Sequence, residues 1–182
     1  MGRKFIFLLL LLPNSAELLS QSRNLSTTTG TISFRSDAPL EVIRAASNHL
    51  MGRIDEEKRT FAFQVLIRSF EGFNSGLQQI HFNENYLETD KYPEATFTGK
   101  IIEPVDFNAA GKYTVRAKGI LKIHGVEQER IIKSDVVVSA NKVHILSNFT
   151  VQLSDHNIRV PRVVHEKIAA EIKVTVEADL AR

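Results

Sequence analysis

Neither cysteine nor tryptophan occurs among the 182 residues of this sequence. The absence of cysteine excludes a disulfide framework, a cysteine-ligated zinc site and a thiol nucleophile. Without tryptophan, aromatic packing depends on 11 phenylalanines and 3 tyrosines. The formal net charge is only +2, so the sequence lacks the basic footprint that nucleic-acid binding requires, and we expect no nucleic-acid partner.

The spacings of familiar metal-binding and catalytic motifs are missing as well. The six histidines form no HxH or HExxH pair, which argues against a zinc site. Ser75 lies between Gly72 and Gly76, but this pentapeptide is not the G-x-S-x-G elbow of a serine hydrolase. A glycine-rich phosphate loop is also lacking. We therefore expect no catalytic residues, no metal and no cofactor, and interpret the protein as a non-enzyme.

The longest apolar run lies at the N-terminus, from Phe5 to Leu12, directly after the basic pair Arg3 and Lys4. This run is too short to span a membrane as a helix. Ser20 and Ser22 supply small residues of the kind that a signal peptidase reads. The pattern predicts a cleaved signal peptide over residues 1–22 and a mature domain over residues 23–182, so we expect a periplasmic or secreted protein.

Most of the remaining chain alternates apolar and polar residues, which is typical of strands with one buried face. The alternation predicts about eight strands, near residues 30–36, 43–54, 60–70, 95–102, 113–123, 130–139, 143–153 and 168–180. No βαβ spacing occurs, so the sheet should be antiparallel. Long strands joined as a meander favour a barrel over a sandwich. Gly99 and Gly119 fall within strands, where we expect a bulge or a bend.

The segment from Phe70 to Thr98 interrupts this pattern with about two dozen residues, far more than a hairpin needs. Ser75 is placed to cap a short helix through Leu77 and Phe82. A long crossover inside an all-β chain usually covers or closes something. We therefore expect one short helix here and interpret the crossover as a lid or mouth element.

The crossover and two later segments carry a resemblance to a known family. The matching pieces are Phe73-Asn74-Ser75, Leu77-Gln78, His81-Phe82, Asp90-Lys91-Tyr92-Pro93, Thr96-Phe97, Gly99-Lys100, Gly119–Val126, and Val151–Ile158 with Pro161. In this order and at these spacings they resemble the YceI-like family, over about residues 31–180. The resemblance implies an all-β, eight-stranded, lipocalin-like antiparallel barrel, and a long polyisoprenoid chain bound in its lumen.

Alternation and resemblance together give two sets of candidate ligand-binding residues. The lumen set comprises Phe61, Phe63, Val65, Ile67, Phe97, Tyr113, Val115, Ala117, Gly119, Leu121, Phe149, Val151, Ile172 and Val174. The mouth or lid set comprises Phe73, Leu77, His81, Phe82, Tyr86, Asp90 and Tyr92. Polar members of the second set could hold a head group, although for Asp90 and Tyr92 we favour the simpler role of tying down the loop.

Several alternatives stay open from the sequence alone. Small residues recur on the inner face beside large aromatic ones, and such an alternation either leaves a cavity or fills the barrel solidly. A filled barrel would act through a protein partner, and an enzyme would use the polar mouth residues on a small substrate. Our leading hypothesis is a carrier whose partner is a long-chain apolar lipid, with a bound isoprenoid in place of a cofactor. It leaves open a contact with a membrane surface or with a second copy.

Overall fold

The computed structural model describes residues 24–182, so the expected signal peptide lies outside the described residues. Eight strands form: β1 Asn24–Asp37, β2 Val42–Asp55, β3 Thr60–Leu66, β4 Glu94–Ile101, β5 Gly111–Ile123, β6 Val126–Val138, β7 Val143–Gln152 and β8 Glu171–Leu180. One short α-helix, α1, spans Gly76–His81 and continues as a π-helical turn over Phe82–Tyr86. Short 3₁₀ turns occupy Ile67–Ser69, Leu153–His156 and Arg162–Val164. Within residues 24–182, no helix has the length and apolar character needed to cross a bilayer.

The strands close into an antiparallel barrel in which every strand pairs with its neighbours in sequence. Closure comes from β8, which pairs with β1 over Thr31–Arg35 as well as with β7 along its length. The predicted fold class is therefore confirmed, including the single short helix in the crossover. Four strand limits differ from prediction by three or more residues: β1 already begins at Asn24, β3 ends at Leu66, β6 begins at Val126, and β8 begins only at Glu171.

Of the bulge or bend predicted at Gly99 and Gly119, the bulge is wrong and the bend stays a prediction. The two glycines face each other across β4 and β5, and the register between these strands runs without interruption. A Cβ atom at Gly99 would lie 2.1 Å from the backbone oxygen of Lys118, and one at Gly119 would lie 2.2 Å from that of Thr98. Glycine is needed here because the two backbones approach so closely. The irregular pairing lies elsewhere, between β1 and β2 at Thr27–Ile32.

The meander places the two long connections at the same end of the barrel. Residues 67–93, hereafter the crossover, and residues 153–170, hereafter the second connection, join the 38–41 and 124–125 turns at this end, which we call the mouth. Among residues 24–182, the connections at the opposite end, which we call the floor, are those at 56–59, 102–110 and 139–142. Leu25, Ile54 and Leu180 are fully buried at the floor and pack with Phe107 of the 102–110 loop. The barrel is therefore filled at one end and covered by long segments at the other.

Candidate ligand-binding cavity

The half of the barrel nearest the mouth encloses an upper cavity of about 520 Å³. A lower cavity of about 100 Å³ lies towards the floor. Ile32, Val65, Ala95, Leu121 and Phe149 line both cavities, so the two spaces are neighbours within one lumen. The upper volume falls within the range of about 300–1,000 Å³ typical of small-molecule sites. The barrel core is therefore not filled solidly by its own side chains.

Apolar side chains dominate the walls of both cavities. In the lower cavity the hydroxyl groups of Ser134 and Ser147 are buried and hydrogen-bond to each other at 2.7 Å. In the upper cavity, the Ser36 hydroxyl accepts a hydrogen bond from the backbone N–H of Ala169 at 2.8 Å. These groups are satisfied within the protein, so the lumen presents an apolar surface to anything that enters it.

Polar side chains gather at the mouth instead. Glu41 and Gln78 line the cavity there, and the Glu41 carboxylate accepts a hydrogen bond from the Gln78 amide at 3.0 Å. The Asn74 amide also donates to this carboxylate, at 3.3 Å. His81 and Lys167 complete the polar part of the mouth. Because both cavity-lining Leu77 and Lys167 are exposed, the cavity reaches the surface between the crossover and the second connection.

Local chemistry explains how the crossover folds over the lumen. The Ser75 hydroxyl caps α1 by accepting a hydrogen bond from the backbone N–H of Gln78 at 3.2 Å, which confirms the predicted cap. Before the helix, Glu71 exchanges two backbone hydrogen bonds with Ala46 of β2, at 2.8 and 2.9 Å. This bridge lies where β2 has already lost its pairing with β3. The crossover thus attaches to the barrel wall through a single β-bridge.

Four phenylalanine rings fasten the crossover over the lumen. Phe82 stacks on Phe34 of β1 with ring centres 5.3 Å apart. Phe73 and Phe70 lie 5.0 and 5.9 Å from the same Phe82 ring. All four rings line the upper cavity, so a chain in the lumen would lie directly beneath aromatic surface. Such ring pairs stabilise by about 0.5–1.5 kcal/mol each beyond area burial.

Contacts around His124, hereafter the His124 cluster, join the two long connections on the far side of the mouth. His124 lies in the tight turn between β5 and β6; its Nδ1 donates to the backbone oxygen of His156 at 3.0 Å, and its Nε2 lies 2.9 Å from the Glu88 carboxylate. Tyr92 packs its ring edge against the His124 ring at 4.7 Å. Lys91 and His124 both lower the pKa of Glu88. The His124 cluster therefore connects the crossover to the second connection.

His156 itself is fully buried at the start of the second connection. Its Nδ1 hydrogen-bonds to the backbone oxygen of Val126 at 3.2 Å, and its Nε2 has no hydrogen-bond partner among the described residues. Burial lowers the pKa of His156 below the ordinary histidine value. Uptake of a proton would place an unpaired charge in this buried site, which makes the contact sensitive to acid.

The barrel wall opens between β6 and β7 towards the mouth. Backbone pairing of these strands covers only Ser134–Val138 against Val143–Ser147. Nearer the mouth, side chains replace the ladder: Arg130 donates to the backbone oxygen of Thr150 at 2.8 Å, and Gln128 donates to that of Asp155 at 2.7 Å. The backbone ladder between β6 and β7 is therefore confined to the half of the barrel nearest the floor.

All but two residues of the predicted lumen set line one of the cavities. Phe61, Phe63, Phe97, Val115 and Ala117 line the lower cavity, Ile67, Val151, Ile172 and Val174 the upper, and Val65, Leu121 and Phe149 both. Tyr113 and Gly119 line neither. Tyr113 packs against the core, and Gly119 is buried against β4 by the close backbone approach.

Five residues of the predicted mouth set line the upper cavity: Phe73, Leu77, His81, Phe82 and Tyr86. Burial raises the pKa of the Tyr86 hydroxyl. Asp90 and Tyr92 do not line it. The side chain of Asp90 is 89% exposed and forms a salt bridge with Arg68, and the Tyr92 ring packs against the His124 ring. Their contacts agree with the loop-fastening role that we favoured.

Sequence reasoning missed several wall residues. Ile32 and Phe34 of β1 line the upper cavity together with Ile43 of β2, and the alternation of β1 could have indicated the first two. Val164 and Ile168 of the second connection also line it. Ile168 begins the alternating run that predicted a strand over 168–180, so that pattern could have indicated it. Val164 lies in a 3₁₀ turn without periodicity, and no sequence pattern could have placed it on the cavity wall.

The fold and its cavity define the class of the protein: a lipocalin-like antiparallel β-barrel with an apolar lumen beneath a helical cover. Comparison with family models then gives the family. The chain belongs to the YceI-like domain family, whose model matches residues 19–180, and the predicted resemblance is confirmed. The match includes the last four residues of the predicted signal peptide, 19–22. No curated protein sequence matches the chain.

Solved structures share the fold at low sequence identity. A polyisoprenoid-binding domain from Saccharophagus degradans, implicated in plant cell wall breakdown, superposes with a TM-score of 0.72 at 15% identity, covering 87% of this chain and 97% of that domain. BcnA from Burkholderia cenocepacia gives a TM-score of 0.69 at 15% identity, covering 84% and 96%. The YceI protein of Campylobacter jejuni gives 0.57 at 16% identity, covering 100% and 91%. At such identities the likeness shows a common fold.

Proposed function

We propose that this protein is an exported, non-enzymatic carrier that holds one long-chain, polyisoprenoid-type lipid in the barrel lumen. The observation that carries the proposal is the apolar lumen, whose upper cavity of about 520 Å³ reaches the surface at the mouth. Membership of the YceI-like family and the likeness to a polyisoprenoid-binding domain support the same ligand class. The proposed export rests on the signal-like pattern of residues 1–22.

The physics of the lumen suits an unbranched or methyl-branched hydrocarbon chain. Each buried methylene contributes roughly 0.8 kcal/mol, so a chain of a dozen or more carbons offsets its ordering cost without a polar anchor. Because the hydroxyls of Ser36, Ser134 and Ser147 and the mouth carboxylate of Glu41 are already hydrogen-bonded within the protein, the site selects for apolar length and width. The same pairing favours binding over acid–base chemistry at the mouth.

Native mass spectrometry tests the proposal. Protein purified from a membrane-containing host without detergent should carry a mass increment of one lipid per barrel, and organic extraction should remove it. The extracted protein should then take up an added long-chain prenol at one molecule per barrel. Protein that purifies empty and also refuses every added prenol would contradict the carrier.

The mature N-terminus tests export separately. Intact-mass measurement of protein from the periplasm or medium should show a chain that begins at residue 23 or 21. A chain that stays in the cytoplasm and retains residues 1–22 would contradict export without touching the lipid proposal.

A further inference from the structure

Helix α1 lies over the upper cavity although none of its six residues is buried. Leu77 and Ile80 are 61% and 49% exposed. The part of the chain that contains α1 nevertheless contributes to the cavity wall through Ser75, Leu77, Gln78 and His81. Most of the stability of a helix in a protein comes from packing of an apolar face, and a helix this short is marginal by itself. Contacts other than burial must therefore hold α1 over the cavity.

A closed network of three polar side chains supplies this attachment. The Gln78 amide and the Asn74 amide both donate to the same oxygen of the Glu41 carboxylate, at 3.0 and 3.3 Å. The network closes because the backbone N–H of Asn74 donates to the side-chain oxygen of Gln78 at 3.0 Å. Glu41 belongs to the 38–41 turn between β1 and β2. Its carboxylate is therefore the acceptor on the barrel for two amides that flank the start of α1.

Aromatic rings anchor this part of the chain at both ends. Phe73 precedes it and Phe82 follows it, and their ring centres lie 5.0 Å apart. Both rings also contact Phe34 of β1, with ring centres at 6.0 and 5.3 Å. Residues 74–81 thus form a loop whose two ends are held together on the barrel wall, and we call them the portal flap. The flap can swing outward on this base while the aromatic cluster stays packed.

The portal flap borders the opening of the cavity on the side of the second connection. Within residues 24–182, no hydrogen bond joins residues 74–81 to residues 153–170. Apart from Glu41, the flap is hydrogen-bonded to the neutral backbone oxygens of Val42 and Phe70, through Asn74 and Gln79 at 3.0 Å each. Outward movement of the flap would widen the existing opening, and the two hydrogen bonds to the Glu41 carboxylate oppose that movement.

We propose that Glu41 is a positioning residue whose carboxylate holds the portal flap closed and thereby sets how fast a lipid enters and leaves the lumen. Hydrogen bonds to an ionised acceptor are stronger than those between neutral groups, so Glu41 contributes more to closure than the two backbone oxygens do. The inference rests on the proposed function, since a carrier must exchange its ligand. A residue that holds a flap affects entry and exit alike, whereas a residue that contacts the ligand affects mainly exit.

Exchange of retinol measures the flap, because this isoprenoid alcohol fluoresces more strongly in apolar surroundings than in water. Stopped-flow mixing with lipid-free protein gives the rate of uptake, and mixing of loaded protein with excess lipid vesicles gives the rate of release. Both rates should rise roughly 10-fold in Glu41→Ala, the order expected when hydrogen bonds to one charged group are lost. Kd, their ratio, should stay unchanged. Glu41→Gln keeps an acceptor oxygen for the Gln78 amide and should bring both rates back towards those of the wild type.

Hydrogen exchange followed by mass spectrometry tests the flap without any ligand. The amides of residues 74–81 should exchange roughly 10-fold faster in Glu41→Ala than in the wild type, whereas those of β5 should not change. Gln78→Ala removes the flap's side of the contact and should give a similar increase, which the double variant should not exceed. Glu84→Ala is the matched control, because Glu84 is an exposed carboxylate of the crossover outside the flap. It should match the wild type in both measurements.

Unchanged hydrogen exchange in Glu41→Ala would overturn the proposal. Faster hydrogen exchange with unchanged retinol rates would also overturn it, because the flap would then open without controlling access to the lumen. Faster release with unaltered uptake would overturn it as well, since Glu41 would then contact the ligand. Protein that takes up neither retinol nor any prenol would reject the carrier, and hydrogen exchange alone would then decide whether Glu41 holds the flap closed.

Discussion

Ala95 offers the sharpest test of where a ligand chain would run. It points inward from β4 and lines both cavities, so a chain that extends from the upper cavity into the lower one passes its methyl group. Ala95→Phe would place a phenyl ring at this passage and displace about six chain carbons. At roughly 0.8 kcal/mol per buried carbon the loss is about 5 kcal/mol, which corresponds to a rise in Kd of about three orders of magnitude.

The assay is binding of prenols of increasing chain length to delipidated protein, followed by native mass spectrometry or displacement of a fluorescent lipid. Short prenols that end above Ala95 should bind the variant and the wild type equally, whereas long ones should lose affinity. Ala62→Phe is the control, because Ala62 is exposed on the outer face of β3. Since the new ring would enter open space, the melting temperature should change by less than about 4 °C. Undiminished binding of long prenols by the variant would refute a lumenal path past Ala95.

Three further predictions address the cover, the wall and the pH response. Phe82→Ala removes the ring at the centre of the aromatic cluster. It should lower the free energy of unfolding by up to about 3 kcal/mol and speed lipid release in a stopped-flow assay. The change of the exposed Ile80 to alanine should alter the free energy of unfolding by less than about 0.5 kcal/mol. Gly99→Ala places a methyl group 2.1 Å from a facing backbone oxygen and should lower the melting temperature by about 2–12 °C. Gly76→Ala is the control, because its added methyl group would enter open space, and it should not lower the melting temperature. Burial lowers the pKa of His156 from 6.5, so just below that pH the unfolded chain binds a proton that the folded chain does not. The free energy of unfolding should therefore fall as the pH drops below 6.5, and this pH dependence should be weaker in His156→Asn. Denaturant titrations that give the same pH dependence for both proteins would contradict the role of His156.

The fold was predictable because each strand has one solvent-exposed face and one buried face. Phe61, Phe63 and Val65 alternate with exposed or half-exposed residues, and this period of two survives in the sequence whatever the tertiary structure. The bulge at Gly99 and Gly119 was predicted wrongly because the sequence of one strand does not show which residues of the neighbouring strand it pairs with. A glycine that makes a bulge and a glycine that faces another across two close backbones have the same local sequence.

The site was only partly predictable. Inward positions follow from alternation, but whether they leave a cavity depends on volumes summed over eight strands, which no single segment contains. Asp90 and Val164 show the limit in irregular chain. Asp90, a candidate mouth residue for which we favoured loop fastening, lies away from the cavity, whereas Val164 was not expected there and lines it. Contacts in such segments depend on where the whole connection packs.

The separation of floor and mouth has a consequence for how this scaffold could diversify. The eight strands close the barrel by pairing with one another, and Leu25, Ile54 and Leu180 pack at the end away from residues 67–93 and 153–170, although Phe70 of the crossover joins the same buried core. Changes within those two segments would therefore alter the width, polarity and opening of the upper chamber while the rest of the molecule still assembles. Exchanging them between relatives should transfer chain-length preference from one barrel to another.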